Sequence, residues 1–281
     1  AMVRWLRRQG IPVVHTIHDL DPHHGVSYGR LLYLWNWAIV RSADHIVVHG
    51  EVYRQRLIAE GHDPDRITCT RLTHLFLSYA AAQDLERQEA AIRYDPMVLF
   101  FGRLERYKGV DVLLRAFARV KSRLGDRLDG RPVQLVLAGP GDGYRDSKVD
   151  STAEVEWRNH LIGDDEGLDL FSRCALVVLP YRDATQSALV AAAYYFRKPV
   201  IVTDVGALAE YVEADRTGIV VDDREMEDGL TEAMFRILAT PGAKESLGRA
   251  GRAWYDEQRR WETQSFERLY KELISRGSSI H

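Results

Sequence analysis

Two cysteines among 281 residues, Cys69 and Cys174, are too few and too far apart for a disulfide framework. That sparing use fits a reducing compartment. No apolar run reaches the roughly 20 residues that a membrane-spanning helix needs. The N-terminus also lacks the basic segment followed by an apolar core that marks a secretory signal. A charge excess of one sign is missing as well. The 38 basic and 41 acidic side chains leave a net charge of −3, which gives no electrostatic footprint for nucleic acid. Internal repeats and low-complexity segments are absent. These absences predict a cytoplasmic protein with no nucleic-acid partner. The length predicts two domains, and 46% hydrophobic residues suffice for two cores. Ala1-Met2 is set aside from fold reasoning.

The most informative stretch is Met97 to Phe117, MVLFFGRLERYKGVDVLLRAF. An apolar strand, Val98–Phe101, turns at Gly102, and Gly109 precedes a helix. Val110, Leu113, Leu114, Phe117, Val120 and Leu124 recur at helical spacing and define one buried face. Arg103 and Lys108 therefore lie on the loop between a strand's C-terminal end and a helix N-terminus. Open α/β sheets bind ligands at such loops, and two cations beside a helix dipole suit a diphosphate. Glu105 and Arg106 are charged too, so spacing alone leaves a merely solvated loop as the alternative.

Upstream, Val3–Gln9 reads as a basic helix and Ile11–Ile17 as a buried strand. A polar turn, His18 to Gly25, follows, and Ser27 is placed to cap a helix from Tyr28 to Arg41. A strand at His45–Val48, a helix at Glu51–Glu60 and a strand at Ile67–Thr70 complete this half. Residues 80–95 turn polar and read as an interdomain connection. Downstream, strands are predicted at Val133–Ala138, Val155–Asn159, Leu176–Leu179, Val200–Val202 and Gly218–Val221. Helices are expected at Glu225–Ala239, Lys244–Tyr255 and Trp261–Ser275. Strands alternating with helices predict an α/β fold with parallel sheets.

Four pieces occur in order: Phe101-Gly102-Arg103-Leu104 with Lys108-Gly109; Leu137-Ala138-Gly139-Pro140-Gly141; Val178-Leu179-Pro180-Tyr181; and Thr203-Asp204-Val205-Gly206. Together they resemble the donor-binding half of family 4 glycosyltransferases. The resemblance is firm from Val98 to about Val221 and looser toward the N-terminus. It implies a GT-B fold of two Rossmann-like parallel-sheet domains. It also implies transfer of a sugar from a nucleotide diphosphate sugar, with retained anomeric configuration, no cofactor and no essential metal. The expected organisation is an acceptor-side domain over 1–90, a nucleotide-sugar-binding domain over 91–260, and a helix over 261–281 crossing back to the first domain.

Carried over by position, the family's phosphate clamp falls on Arg103 and Lys108, which would stabilise the leaving diphosphate. His18, after the strand ending at Ile17, falls where a family histidine reaches the transferred sugar. His15 is read as a packed core residue instead. Donor contacts are implied for Gly102, Gly139, Gly141, Ile162, Asp183, Thr185, Gln186, Ser187 and Glu210. Two departures stand out. The family's Glu-x7-Glu segment becomes Asp183 to Ala191, which removes the acid that usually holds the ribose. Glu210 lies in Gly206-Ala-Leu-Ala-Glu210 rather than in the commoner Gly-Gly-x-Pro-Glu. By residue chemistry alone, Thr185 and Ser187 equally read as caps of a buried helix, and Glu210 as a surface acid.

Family members usually start with further strands and a glycine-rich loop that meets the acceptor, and neither appears here. The first domain is therefore expected to be incomplete, and its apolar strand to have a bare edge. A homodimer, or a complex with a partner chain through that domain, is the corresponding expectation. The acceptor is expected to be a glycan or a lipid-linked molecule. Tyr33, Trp35 and Trp37 would either pack in the core or touch a membrane, at its inner face, or a partner. Two further functions stay open: a non-catalytic donor-binding subunit, and a metal-dependent hydrolase using His18, Asp19, Asp21, His23 and His24.

Overall fold

A computed structural model describes residues 2–20, 29–87, 92–125, 127–128, 130–141 and 154–278. The chain forms two units: residues 1–72, 184–186 and 257–281, and residues 73–183 and 187–256. The division at 72/73 differs from the expected 90/91. The polar stretch 80–95 is no bare connection, because it contains a helix that packs within the second unit.

The first unit contains α1 (Met2–Arg8), β1 (Val14–Ile17), α2 (Gly29–Ser42), β2 (His45–Val48), α3 (Glu51–Ala59) and β3 (Ile67–Cys69). The strands form a parallel sheet in the order β1-β2-β3. The side-chain alternation of a strand sorts β2 between two cores. Ile46 and Val48 join Ile17, Val40, Leu57 and Ile67. Val47 points the other way, onto Leu269 and Leu273. β1 starts later than its apolar run predicts, because the Val13 N–H is taken by Asp44 Oδ2 at 2.9 Å. The outer edge of β1 pairs with no strand among the described residues. Trp37 and Leu34 on α2 are exposed, so Trp37 is not core. The side chains of Tyr33 and Trp35, and the residues Asp21, His23, His24, Ser27 and Tyr28, lie outside the described set.

The second unit runs through α4 (Tyr79–Glu86), β4 (Met97–Phe101), α5 (Val110–Leu124), a short hairpin of β5 (Arg127–Leu128) and β6 (Arg131–Pro132), β7 (Gln134–Ala138), β8 (Val155–Arg158), α6 (Asp164–Arg173), β9 (Leu176–Leu179), α7 (Ala188–Tyr195), β10 (Val200–Thr203), β11 (Gly218–Val221) and α8 (Met226–Ala239). Its parallel six-stranded sheet has the order β11-β10-β9-β4-β7-β8. β4 is buried along its whole length, as expected of a strand with neighbours on both sides and helices over both faces. From β4 the chain winds outward through β7 and β8, then returns to build β9, β10 and β11 on the other side. The topological switch point therefore lies between β4 and β9.

α9 (Ala243–Ser278) is one helix of 36 residues where two were expected. The run 256–260 between the two expected helices is polar, but it holds no Gly or Pro. Ion pairs one turn apart, Arg252–Asp256 and Arg259–Glu262, support the helix through it. α4 was missed for a related reason. Its alanines give no apolar period, yet Ala82 is buried and Glu86 accepts from Arg252 at 2.6 Å and from Tyr195 Oη at 3.1 Å.

Candidate functional site

Parallel winding puts the loops after β4, β7, β8, β9 and β10 at one end of the six-stranded sheet. Gly102, Arg103, Lys108, Gly139, Gly141, Ile162, Asp183 and Glu210 all lie on these loops. The loops after β4 and β7 are joined by hydrogen bonds. The Gly102 N–H donates to Ala138 O at 2.8 Å, and the Leu104 N–H to Pro140 O at 2.9 Å. This approach explains the glycines. A Cβ on Gly139 (φ +142°) would lie 2.1 Å from Gly102 O, and one on Gly141 would lie 2.8 Å from Leu104 O. The Gly141 N–H also reaches Asn159 Oδ1 at 3.0 Å, which ties in the loop after β8.

Arg103 is three-quarters exposed and pairs with Glu105 at 3.3 Å. Bridges this exposed contribute little to stability, so the guanidinium is not committed to the fold. Lys108 ends a 3-10 turn, Arg106–Lys108. Its Nζ sits 3.6 Å above the centroid of the Tyr181 ring, which is fully buried on the loop after β9. Gly109 (φ +68°) then opens α5. A Cβ there would lie 1.9 Å from Pro180 O, so the two loops meet backbone to backbone. The cation is thus held at the switch point, on the β9 side.

α7 begins on that side. Ser187 caps it, with Oγ accepting from the Leu189 N–H at 3.3 Å. α7 is apolar all round and deeply buried, and Ala191 is completely inaccessible. The stretch before the cap, residues 184–186, groups with the first unit, where Tyr53 Oη donates to Ala184 O at 3.5 Å. Thr185 and Gln186 are half-buried. Gln186 Oε1 is buried with no hydrogen-bond partner among the described residues. Asp183, Ile162 and Glu210 are half-buried, Glu210 on the 3-10 turn Leu208–Tyr211.

In the first unit, His18 follows β1 and is exposed. Its ring lies 5.1 Å from that of His49, which follows β2 and is buried. His49 Nδ1 meets Thr70 Oγ1, just past β3, at 3.2 Å. Burial is the main cause, and the neighbouring His18 the second, of a His49 pKa held at about 4. The same causes lower that of His15, whose Nε2 is buried without a partner among the described residues. Sequence reasoning missed His49 and Thr70, and the contact of Tyr181 with Lys108, as parts of these arrangements. Their only signal was position, each lying at or just beyond a strand end or a helix start. Among the described residues no three His, Cys, Asp or Glu side chains could hold a metal ion. No helix there is long and apolar enough to cross a membrane. Both cysteines are free.

Two α/β units on parallel sheets, one carrying a cationic loop at its switch point, define the GT-B class. The chain belongs to the family of Glycosyl transferases group 1, whose model matches residues 95–240, and a Glycosyl transferase 4-like domain matches residues 1–72. It is similar to the D-inositol 3-phosphate glycosyltransferase of Gordonia bronchialis, 26% identical over 93% of this chain and 61% of that protein. It is also similar to the alpha-D-kanosaminyltransferase of Streptomyces kanamyceticus, 27% identical over 85% of this chain and 64% of that one. The chain thus spans about three-fifths of the length of these curated relatives. Among solved structures, Anabaena Alr3699/HepE in complex with UDP and glucose superposes with a TM-score of 0.69, at 17% identity over 96% of this chain and 74% of that one. Sucrose-phosphate synthase from Thermosynechococcus elongatus gives 0.70, at 23% identity over 98% and 71%. At these identities the structural likeness speaks for the fold.

Proposed function

We propose that this chain is a retaining glycosyltransferase that moves a sugar from a nucleotide diphosphate sugar to a glycan or lipid-linked acceptor. The observation that carries this reading is Lys108, held on Tyr181 at the switch point, with Arg103 on the same loop and the capped N-terminus of α7 following β9. Parallel sheets of this winding bind nucleotides there. The relatives' names, all transferases of sugars, and the UDP held by the Anabaena protein support the same reading.

In the proposed reaction, the bond between the anomeric carbon and the diphosphate oxygen breaks. The acceptor hydroxyl bonds to that carbon on the same face, and its proton passes to the departing diphosphate oxygen. Charge grows on the leaving diphosphate, and Arg103 and Lys108 would meet it there. Fixed cations aimed at a developing charge usually supply the largest catalytic contribution. With that charge balanced by side chains, no essential metal is required. The glycine loop from Gly139 and Gly141, with Ile162 and Glu210, would border the donor sugar, and the Thr185-Gln186-Ser187 stretch the phosphates. His18 would hydrogen-bond a sugar hydroxyl. The ribose would be held by something other than residue 191, since Ala191 is buried and apolar.

Ala191 favours one second reading, a donor-binding subunit without turnover. Thermal shifts with UDP, GDP, ADP and the matching monophosphates, followed by turnover assays with the corresponding nucleotide sugars, separate the two. A ligand at a hundred times its Kd adds about 2.7 kcal/mol. Stabilisation by one diphosphate with turnover supports the transferase, and stabilisation without turnover supports the subunit. No response to any diphosphate overturns both. The protein is further proposed to work in the cytoplasm, peripheral to the membrane's inner face, and to pair through its first unit.

A further inference from the structure

We propose that Arg182 is a positioning residue for the diphosphate clamp, tying the turn that carries Lys108 to the loop after β9. The inference rests on reading Lys108 as a diphosphate ligand, and it extends that reading to a residue on a different loop. Arg182 makes no use of its charge at the surface alone. Its backbone N–H donates to Tyr107 O at 2.8 Å. Its guanidinium donates to Arg106 O at 3.1 Å, and to both Asp111 oxygens at 2.8 and 2.6 Å. Those acceptors bracket Lys108. Two are carbonyls of its own 3-10 turn, and the third is the second residue of α5.

The bond to Asp111 is the firm end of the tie. The Asp111 side chain is only 14% exposed, and Arg115, one helical turn on, closes on it at 3.5 Å. Burial alone would raise the Asp111 pKa, but the hydrogen bonds from Arg182 hold it below its ordinary value. A planar fork against a carboxylate fixes direction as well as distance, which an ammonium in its place would not. Next to Arg182, Tyr181 forms the floor under the Lys108 ammonium at 3.6 Å. Two consecutive residues therefore set Lys108 from two sides. Tyr181 supports the charged end of the side chain, and Arg182 fixes the backbone from which it springs. Catalytic groups need that kind of support, because a displacement of about 1 Å removes much of the benefit of a fixed charge.

A double-mutant cycle tests the proposal, with calorimetric titration of UDP, inorganic pyrophosphate and UMP into the wild type, R182A, K108A and the double variant, and Tm recorded for each. Arg182→Ala is expected to weaken UDP and pyrophosphate about tenfold, as coupled neighbours do, while UMP changes much less. In the Lys108→Ala background the same change is expected to cost almost nothing further. Arg182→Lys should recover only part of the loss, since one fork bond is missing. Should Arg182→Ala fail to fold, Asp111→Asn removes the firm end of the tie and is expected to give the same pattern, more weakly. Additive losses, or equal losses for UMP and UDP, overturn the positioning role and leave the clamp intact. A wild type that binds UDP with Lys108→Ala unchanged overturns the clamp reading itself.

Discussion

Lys108 Nζ lies 3.6 Å above the centroid of Tyr181, so a cation on the loop after β4 is stacked on a buried ring from the loop after β9. Such a contact steadies a positive charge without neutralising it.

Arg103→Ala and Lys108→Ala are each expected to weaken nucleotide diphosphate binding by roughly 1.5–3 kcal/mol, the range for hydrogen bonds to charged groups. The nucleoside monophosphate should lose less. Calorimetry on the diphosphate identified by thermal shift provides the measurement, and unchanged affinity in both variants contradicts the clamp.

Much of this site was legible because strand-end chemistry is local. The apolar run of β4, the turn at Gly102 and the single buried face of α5 sit within 21 consecutive residues, Met97 to Phe117. Contacts between loops were not legible. Arg182 and Asp111 are 71 positions apart, and only the strand order β9-β4 brings them together. The His18–His49–Thr70 row was hidden for the same reason, since it runs across three strand ends. α9 shows the converse failure. A polar stretch without Gly or Pro stays helical when its charges pair along the helix, and apolar spacing alone does not register that.

Gly109→Ala is expected to destabilise the second unit by more than the ~1–3 kcal/mol of a left-handed non-glycine residue, because its Cβ would meet Pro180 O at 1.9 Å. Gly125→Ala is the control. Its φ is also positive, at +77°, but nothing lies within 4 Å of the added carbon. Urea denaturation should show a clearly larger loss for Gly109→Ala. Equal losses would mean that the contact between the two loops relaxes freely.

Turnover of the donor is expected to persist in excess EDTA, and the product to retain the donor's anomeric configuration by NMR. Both expectations follow from Arg103 and Lys108 balancing the leaving group's charge. Loss of activity with chelator, restored by one divalent ion, would point instead to metal chemistry.

The outer edge of β1 is expected to be covered in solution by a second copy of the chain. No strand pairs with that edge among the described residues, and open edges with exposed apolar neighbours favour association. Trp37 and Leu34 on α2 are such residues in the same unit. Light scattering at micromolar concentration should give the mass of a dimer. A stable monomer that turns over a nucleotide sugar would show that the three-stranded unit needs no partner.

Stability should fall as pH drops from about 6.5 toward 4, with His49 as one source. Its imidazole ordinarily titrates at 6.5, and in the fold only at about 4, chiefly because it is buried and secondly because His18 adjoins it. Between those values the unfolded chain binds a proton that the folded chain does not. The stability present above pH 6.5 is therefore lost progressively as pH falls. The gap corresponds to at most roughly 3 kcal/mol. His15 is shifted in the same direction and adds to the slope. His49→Gln keeps a polar group for Thr70 but cannot take up the proton. Urea denaturation of this variant at intervals from pH 7.5 to 4.5 should therefore give a flatter dependence than the wild type, with the largest difference at the acid end. Parallel curves would show that His49 titrates alike in both states and that its burial costs it nothing.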